Sequence, residues 1–329
     1  MVKEQIIKID EKKNWVHEFI SDEISKNMIF DISVIVCSYN PTKEALFFTL
    51  RSIISQKDIE VEIIIADDGS NVFYKDDIIA FFEKNKFVNW KIVCNEVNHG
   101  TVFNLYSALK VCNSRYVKFI SPGDALYGET ILKRWKDFQY NAKSKWSFAD
   151  AIYYKNQSNE QIDLECQAHP NNVKPYLKND RDICRWNYIA LDDIALGACV
   201  FCETELAESY ISKIVNQVIY AEDNIWRMMM FDGIVGEYFP CNAVLYEYGT
   251  GISTSRSDIW FMRIKKDWDK ANELMIQNKK LDNFQRKVVN TWKINEENNK
   301  IKKIFIRGKL KQYIVSKLHM RKTVKRDNM

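Results

Sequence analysis

"RYVKFISPGD", residues 115–124, runs apolar and β-branched from Tyr116 to Ile120, stops at Ser-Pro-Gly, and is followed by one carboxylate, Asp124. A strand that is apolar along its length, without polar alternation, is covered on both faces. Three similar runs precede it, at residues 32–37, 61–66 and 90–94. Between them apolar residues recur at helical spacing: Leu46, Leu50, Ile53 and Ile54, then Ile78, Ile79 and Phe82, then Val102, Leu105, Leu109 and Cys112. Strands alternating with helices in this way predict right-handed crossovers and an α/β fold built on a doubly wound, mostly parallel sheet. Ligands of such sheets bind outside the carboxyl ends of the strands. The four strand ends read "SYNP", "DDGS", "NEVNHG" and "SPGD". Turns at strand ends are polar in any protein, so the distinctive feature is acid: Asp67 and Asp68 after the second strand, Asp124 after the fourth.

The chain of 329 residues is long enough for one large core or two smaller ones. With 46% apolar and 28% charged residues it has the balance of a globular protein, which excludes disorder and a membrane bundle as the starting expectation. The longest apolar stretch, 194–202, falls short of the roughly 18 residues a membrane-spanning helix needs. The N-terminus mixes both charge signs and lacks a secretory pattern, so the expected location is the cytoplasm. Eight scattered cysteines suit reduced, buried thiols, and the C-x-x-C of Cys199 and Cys202 lies on an apolar segment without a second pair, which favours packing over metal. Net charge is +4, but residues 300–326 hold eleven Lys or Arg and no acid. Their apolar residues, among them Ile304, Phe305, Ile314 and Leu318, describe a basic amphipathic helix. Two readings stand: a peripheral element on an anionic membrane surface, or a helix docked on its own domain. No nucleic-acid motif accompanies the charge, so no nucleic-acid partner is expected.

Three regions follow from these patterns: a charged helical lead-in within 1–30, centred on 12–26; a main domain over 31–255; and a helical C-terminal extension over 256–329 that carries the basic tail. In the second half of the main domain, "WSFADAIYY", "ALGACVF", "GIVGEYFP" and "NAVLYEY" read as strands, and residues 222–231 read as a helix stopped at Gly233.

Two nucleotide fingerprints are missing: G-x-G-x-x-G after the first strand and the G-x-x-x-x-G-K-[ST] phosphate loop. Instead "DISVIVCSYNP", "VEIIIADDGS", "NHGTVFN", "YVKFISPGD" and "AEDNIWRM", in that order and spacing, resemble the family 2 glycosyltransferases of GT-A fold, inverting enzymes of the bacterial surface-polysaccharide type. The resemblance implies a nucleotide-sugar donor, a UDP-sugar by commonest use, and a glycan or lipid-linked glycan acceptor. It implies donor contacts from Cys37, Tyr39, Asp68, Gly123 and Asp124, with Tyr39 against the base and Asp68 accepting a base N–H. Asn98, Gly100 and Asn104 match the third motif, where Phe103 stands in place of a frequent arginine.

The family's acidic cluster at the fourth strand end, often D-x-D-D, is reduced here to Asp124, with Ser121 and Gly123 at two of its positions. The resemblance assigns Asp124 to a divalent cation, Mn²⁺ or Mg²⁺, for which one or two carboxylates plus phosphate and water suffice; the alternative is a turn and cap. It makes Asp223 the general base and places Gly197, Ala198, Glu222 and Trp226 at the acceptor. The alternatives are a helix-start acid pair serving the macrodipole and, for Trp226, the core. "YEYGTGISTS", 246–255, resembles a loop that closes over the donor, or is a surface turn. Two rival classes are a non-catalytic relic that scaffolds a partner and a sugar nucleotidyltransferase. The latter calls for a Gly-rich basic loop where "CSYNPTKE" stands.

Overall fold

The apolar strands divide their side chains between two cores. In β3 (Phe30–Ser38) and β4 (Val61–Asp67), Ile32, Val34, Val36, Ile63 and Ile65 face one way, with Leu46, Leu50 and Ile53 of α1 (Lys43–Ile54) and Ile78 and Phe82 of α2 (Lys75–Lys84). Ile35, Ile64 and Ala66 face the other way, with Val102, Leu105 and Leu109 of α3 (Thr101–Leu109) and Val93 of β5 (Trp90–Asn95). A period of two on a strand with no polar face leaves only this solution, one core per face. β6 (Ser114–Ile120) completes a parallel set in the order β5-β4-β3-β6.

The structure, a computed structural model, describes residues 2–9, 15–21, 29–156, 162–167, 173–177, 180–191, 194–249, 258–277, 279–290, 292, 308–309, 311–313 and 316. The remaining elements are β7 (Ala125–Leu126), α4 (Ile131–Ala142), β8 (Trp146–Asn156), β9 (Ile162–Gln167), α5 (Arg181–Leu191), β10 (Val200–Glu203), α6 (Thr204–Ile214), α7 (Asn224–Phe231), β11 (Glu237–Glu247), α8 (Asp258–Ile276) and α9 (Asn283–Asn290). The expected α/β architecture with a helical C-terminal part is therefore present. Its sheet is mixed: beyond β6 the order continues β10-β8-β11-β7, with β10 antiparallel to both neighbours and β11 parallel to β8. Because two antiparallel steps restore direction, β11 ends at the same edge as β6.

The helical lead-in expected over 12–26 is corrected. Val2–Lys8 and Trp15–Ser21 are strands, β1 and β2, paired antiparallel, and β2 pairs antiparallel with β5. Val16, Phe19 and Ile20 have helical spacing, but β5 otherwise presents an open edge of backbone donors and acceptors, and pairing there overrides local pattern. The rest of 12–26 lies outside the described residues. "ALGACVF" is a strand only from Val200; Gly197–Cys199 form a single 3₁₀ turn. The two strands read at 233–248 are one, β11, with shifted register around Pro240, where a residue without an N–H is tolerated. In the C-terminal part Ala271 and Met275 are buried, with Trp268 and Leu274 packed at the margin of the same core. Most of the basic tail lies outside the described residues; Tyr313 stacks on Phe284 of α9 at 6.2 Å.

At the edge of the sheet where β4 begins, a buried ion pair fastens three strands. Lys91 Nζ lies 2.8 Å from Glu62 Oε1, whose side chain is fully buried. Ser33 Oγ and Asn113 N donate to Glu62 Oε2 at 2.5 and 3.0 Å. Removing one member of such a pair strands the other charge. Glu62→Ala is expected to lower the free energy of unfolding in urea by about 3–5 kcal/mol, and the double change Glu62→Leu with Lys91→Met to recover most of that loss.

Candidate active site

At the carboxyl edge of the sheet, the loops after β3, β4 and β5 are stitched to one another. Asn40, at a left-handed φ of 46°, donates its N–H to Ser70 Oγ (2.7 Å) and accepts from Asn71 N on its side-chain oxygen (2.8 Å). Ser70 donates its N–H and hydroxyl to the two oxygens of Asp67 (2.9 and 2.6 Å). Asp68 reaches the third loop: Oδ1 accepts from Asn95 Nδ2 (2.8 Å) and His99 N (3.0 Å), and Oδ2 from Gly100 N (2.7 Å). Gly69 sits so near Val97 that a Cβ there would stand 2.6 Å from its carbonyl carbon. Asn104, buried in α3, donates to Ala66 O (2.8 Å) and Cys37 Sγ (3.4 Å). On this braced floor Tyr39 stands 52% exposed. Asp68 is 3% exposed, with three of its roughly four lone-pair sites taken.

The loop after β6 is held from both sides. Gly123, at φ 101°, donates its N–H to Thr49 Oγ1 (3.0 Å), and its carbonyl accepts from Tyr154 Oη. Asp124 Oδ1 accepts from Glu247 N (3.0 Å) at the end of β11. The Glu247 carboxylate lies against Gly123, where a Cβ would stand 2.2 Å from Oε2. Burial pushes Asp124 up to about 7, offset in part by the Glu247 N–H and the Lys118 charge. Lys118, buried in β6, donates to Ala198 O and Phe119 O (3.0 Å) and is driven down to about 8 by burial. It thereby links the Asp124 region to the Gly197–Cys199 turn. Asp124 and Glu247 are hard oxygen donors, and two carboxylates suit a cation that completes its shell with phosphate and water. Among the described residues no group of three or more His, Cys, Asp or Glu could hold a metal ion.

Glu222 and Asp223 precede α7 and join both halves. Ile219 O accepts from Val102 N (2.9 Å), and Gly100, at φ 92°, packs on Ile219, which places this segment beside the loop that Asp68 holds. Glu222 Oε1 would be 3.1 Å from a Cβ on Gly197. Burial, then the adjacent Asp223 charge, pushes Glu222 up to about 8. Burial, then Glu222, also pushes the Cys37 thiol well above its ordinary value, with Asp68 and Asp67 adding smaller effects.

Cys37, Tyr39, Asp68, Gly123, Asp124, Gly197, Ala198, Glu222 and Asp223 thus share one edge of the sheet. Trp226 does not join them. It is 1% exposed, stacked on Trp146 at 5.6 Å and tilted against Phe119 at 6.0 Å, so no ring face is open to a sugar. Glu247 and Lys118 are additions that the strand reading passed over. Glu247, an acid at the end of an apolar run, carried the same signal as Asp124 but stood where the strand read at 242–248 overlaps the loop read at 246–255.

The known proteins to which this chain is similar are glycosyltransferases. Residues 33–188 match the family model for glycosyl transferase family 2. Over 95 residues it is 33% identical to the Escherichia coli UDP-Glc:alpha-D-GlcNAc-diphosphoundecaprenol beta-1,3-glucosyltransferase WfaP; the match spans 28% of this chain and 35% of that enzyme, about a third of its length. The fold is similar to that of S. aureus TarS 1-349 in complex with UDP (TM-score 0.53, 15% identity, 82% of this chain and 72% of that one). It is also similar to that of the mannosyltransferase PcManGT from Pyrobaculum calidifontis in complex with GDP-Man and Mn²⁺ (TM-score 0.55, 12% identity, 83% and 73%). At these identities the structures show a shared fold.

Between the ordinary carboxylate pKa of about 4.3 and the value of about 8 for Glu222, the native state holds a proton that the unfolded chain has released. The stability contributed by that proton is present at acid pH and is lost as pH rises through this window. Glu222→Gln removes the titration, so between pH 5 and pH 8.5 the wild-type melting temperature is expected to fall more than that of the variant. Equal slopes would show that Glu222 is already ionised in the folded protein.

Proposed function

We propose that the protein transfers a sugar from a UDP-sugar donor to a hydroxyl of a glycan or lipid-linked glycan acceptor, with inversion at the anomeric carbon. The observation that carries this reading is the convergence of two acid pairs, Asp124 with Glu247 and Glu222 with Asp223, on either side of the Gly197–Cys199 turn. One pair suits the diphosphate end of a donor, the other the hydroxyl of an acceptor. Support for the donor comes from the family 2 match and from the UDP held by the fold relative TarS. Support for a lipid-linked acceptor comes from the name of the partial relative WfaP.

Exposed Tyr39 offers a flat face to the nucleobase beside the loop that Asp68 holds. Asp68 acts chiefly by shaping that pocket, with one lone pair left for a base N–H. Asp124 and Glu247 would hold a divalent cation, which when bound neutralises the diphosphate and the charge of the departing nucleotide. Asp223 accepts the proton of the acceptor hydroxyl as its oxygen attacks the anomeric carbon. The bond to the diphosphate breaks on the opposite side, the electron pair leaves with the nucleotide, and the configuration inverts. Ala198 and Gly197, with the turn braced by Lys118, wall the acceptor pocket.

A panel of nucleotide sugars screened for thermal stabilisation, with and without Mn²⁺, identifies the donor. With that donor, Asp223→Asn is expected to lower kcat by about 10²–10⁴-fold while leaving donor stabilisation intact; near-normal turnover would remove the base assignment. The basic segment 300–326 is proposed to attach the enzyme to an anionic membrane surface, since its eleven Lys or Arg are interleaved with apolar residues in the pattern of a basic amphipathic helix. Flotation with anionic liposomes is expected for the full chain and not for one ending at Asn299.

A further inference from the structure

The acid pair lies outside the segment that matches the family model, and its placement is governed from further still along the chain. Asp267, in the middle of α8, is 4% exposed. A single oxygen of it, Oδ2, accepts from three consecutive backbone N–H groups: Ile219 (3.1 Å), Tyr220 (2.6 Å) and Ala221 (3.2 Å). The next residues are Glu222 and Asp223. Consecutive N–H groups turned toward one point form a concave anion site. Here the anion is a side chain from a different element, bound by charge-assisted hydrogen bonds.

The same C-terminal elements grip the segment elsewhere. Tyr220 meets the edge of Trp260 at 5.0 Å. The guanidinium of Arg227, buried in α7, lies over the rings of Trp268 (4.5 Å) and Trp292 (5.4 Å). At the far end of α7, Lys279 pairs with Asp232. On its opposite side the segment is pinned to the nucleotide-side loop through Ile219 O and Val102 N (2.9 Å). The strip 219–221 is thus held between two fixed bodies, with the acid pair projecting from its end.

We infer that Asp267 is a positioning residue for the reaction: from α8 it fixes the segment that delivers Glu222 and Asp223 to the edge where Asp124 and Asp68 lie. The inference rests on the transferase reading above for its catalytic consequence, but the clamp itself is a property of the fold. An interaction holding only the acid pair changes the chemical step and leaves donor binding alone, because the bonds from Asp68 and Ser70 that brace the Tyr39 floor do not involve Asp267. A merely structural contact lowers every parameter together with stability.

The test compares Asp267→Asn, Asp267→Glu and, as a stability control at the other end of the sheet, Glu62→Gln, all in the full chain. In Asp267→Asn the backbone amides of residues 219–221 are expected to exchange with solvent at least about tenfold faster, with those of β3 and β4 unchanged. The expected kcat falls by about ten- to a hundredfold, the donor KM stays within about twofold, and Asp267→Glu recovers part of the rate. Glu62→Gln is expected to lose stability at unchanged kcat. Should Asp267→Asn leave the exchange of 219–221 unchanged, the clamp is wrong whatever the kinetics. If exchange quickens but kcat is unaltered, or kcat and donor KM deteriorate in parallel with Glu62→Gln at matched stability, the positioning role is overturned. A wild-type chain that transfers no sugar while the variant still loosens 219–221 would overturn the transferase reading and uphold the clamp.

Discussion

A buried carboxylate accepting backbone N–H groups from a distant segment is the interaction on which this site depends, and among the described residues three acids at the carboxyl edge and in α8 make it. Asp68 takes two from the loop after β5, Asp124 takes one from the end of β11, and Asp267 takes three from the segment before α7. A charge removed from water must find donors, and loop backbones that leave regular structure carry N–H groups in want of acceptors. Each need meets the other, and a loop that would otherwise wander is fixed at one point. The arrangement also accounts for the glycines: Gly100 and Gly123 adopt positive φ where a Cβ would strike Ile219 and Glu247.

The two edges of the sheet use buried charge differently. Where β4 begins, Glu62 has a lysine at 2.8 Å and donors for its other oxygen, so its charge is matched and serves cohesion. At the carboxyl edge, burial pushes Asp124 to about 7 and Glu222 to about 8, and each carries a second acid close by. Acids crowded together out of water cost stability, a cost that folds accept where a cation or a proton is to be handled. Lys118 relieves some of it, and by holding Ala198 it makes the wall between the two pairs part of the same electrostatic unit.

The second half of the chain does more than extend the first. The family match ends at residue 188, yet the acid pair, the Gly197–Cys199 turn, Glu247 and Asp267 all come later. The first half builds the floor on which Tyr39 stands, held by contacts among its own loops. What faces that floor is assembled from the later strands and from the C-terminal helices, whose aromatic rings and one carboxylate enclose the segment around α7.

The sequence by itself determined the four parallel strands and the helices between them, because a strand apolar on both faces has one solution and leaves its turns at one edge. It also determined which acids stand at those turns: Asp68, Asp124, and the Glu222–Asp223 pair before a helix. Only the tertiary structure decided the rest. The N-terminal residues with helical spacing became strands because an open sheet edge was there to pair with, and Trp226 went to the core because Trp146 and Phe119 lay beneath it. Asp68 turned out to be committed to loop amides, and Asp267, an ordinary acid on an amphipathic helix when read in order, became the anchor of a segment some 46 to 48 residues away. Hydrogen bonds between side chains and distant backbone leave no periodic trace in a sequence, since the partner amide belongs to whichever residue the fold brings near.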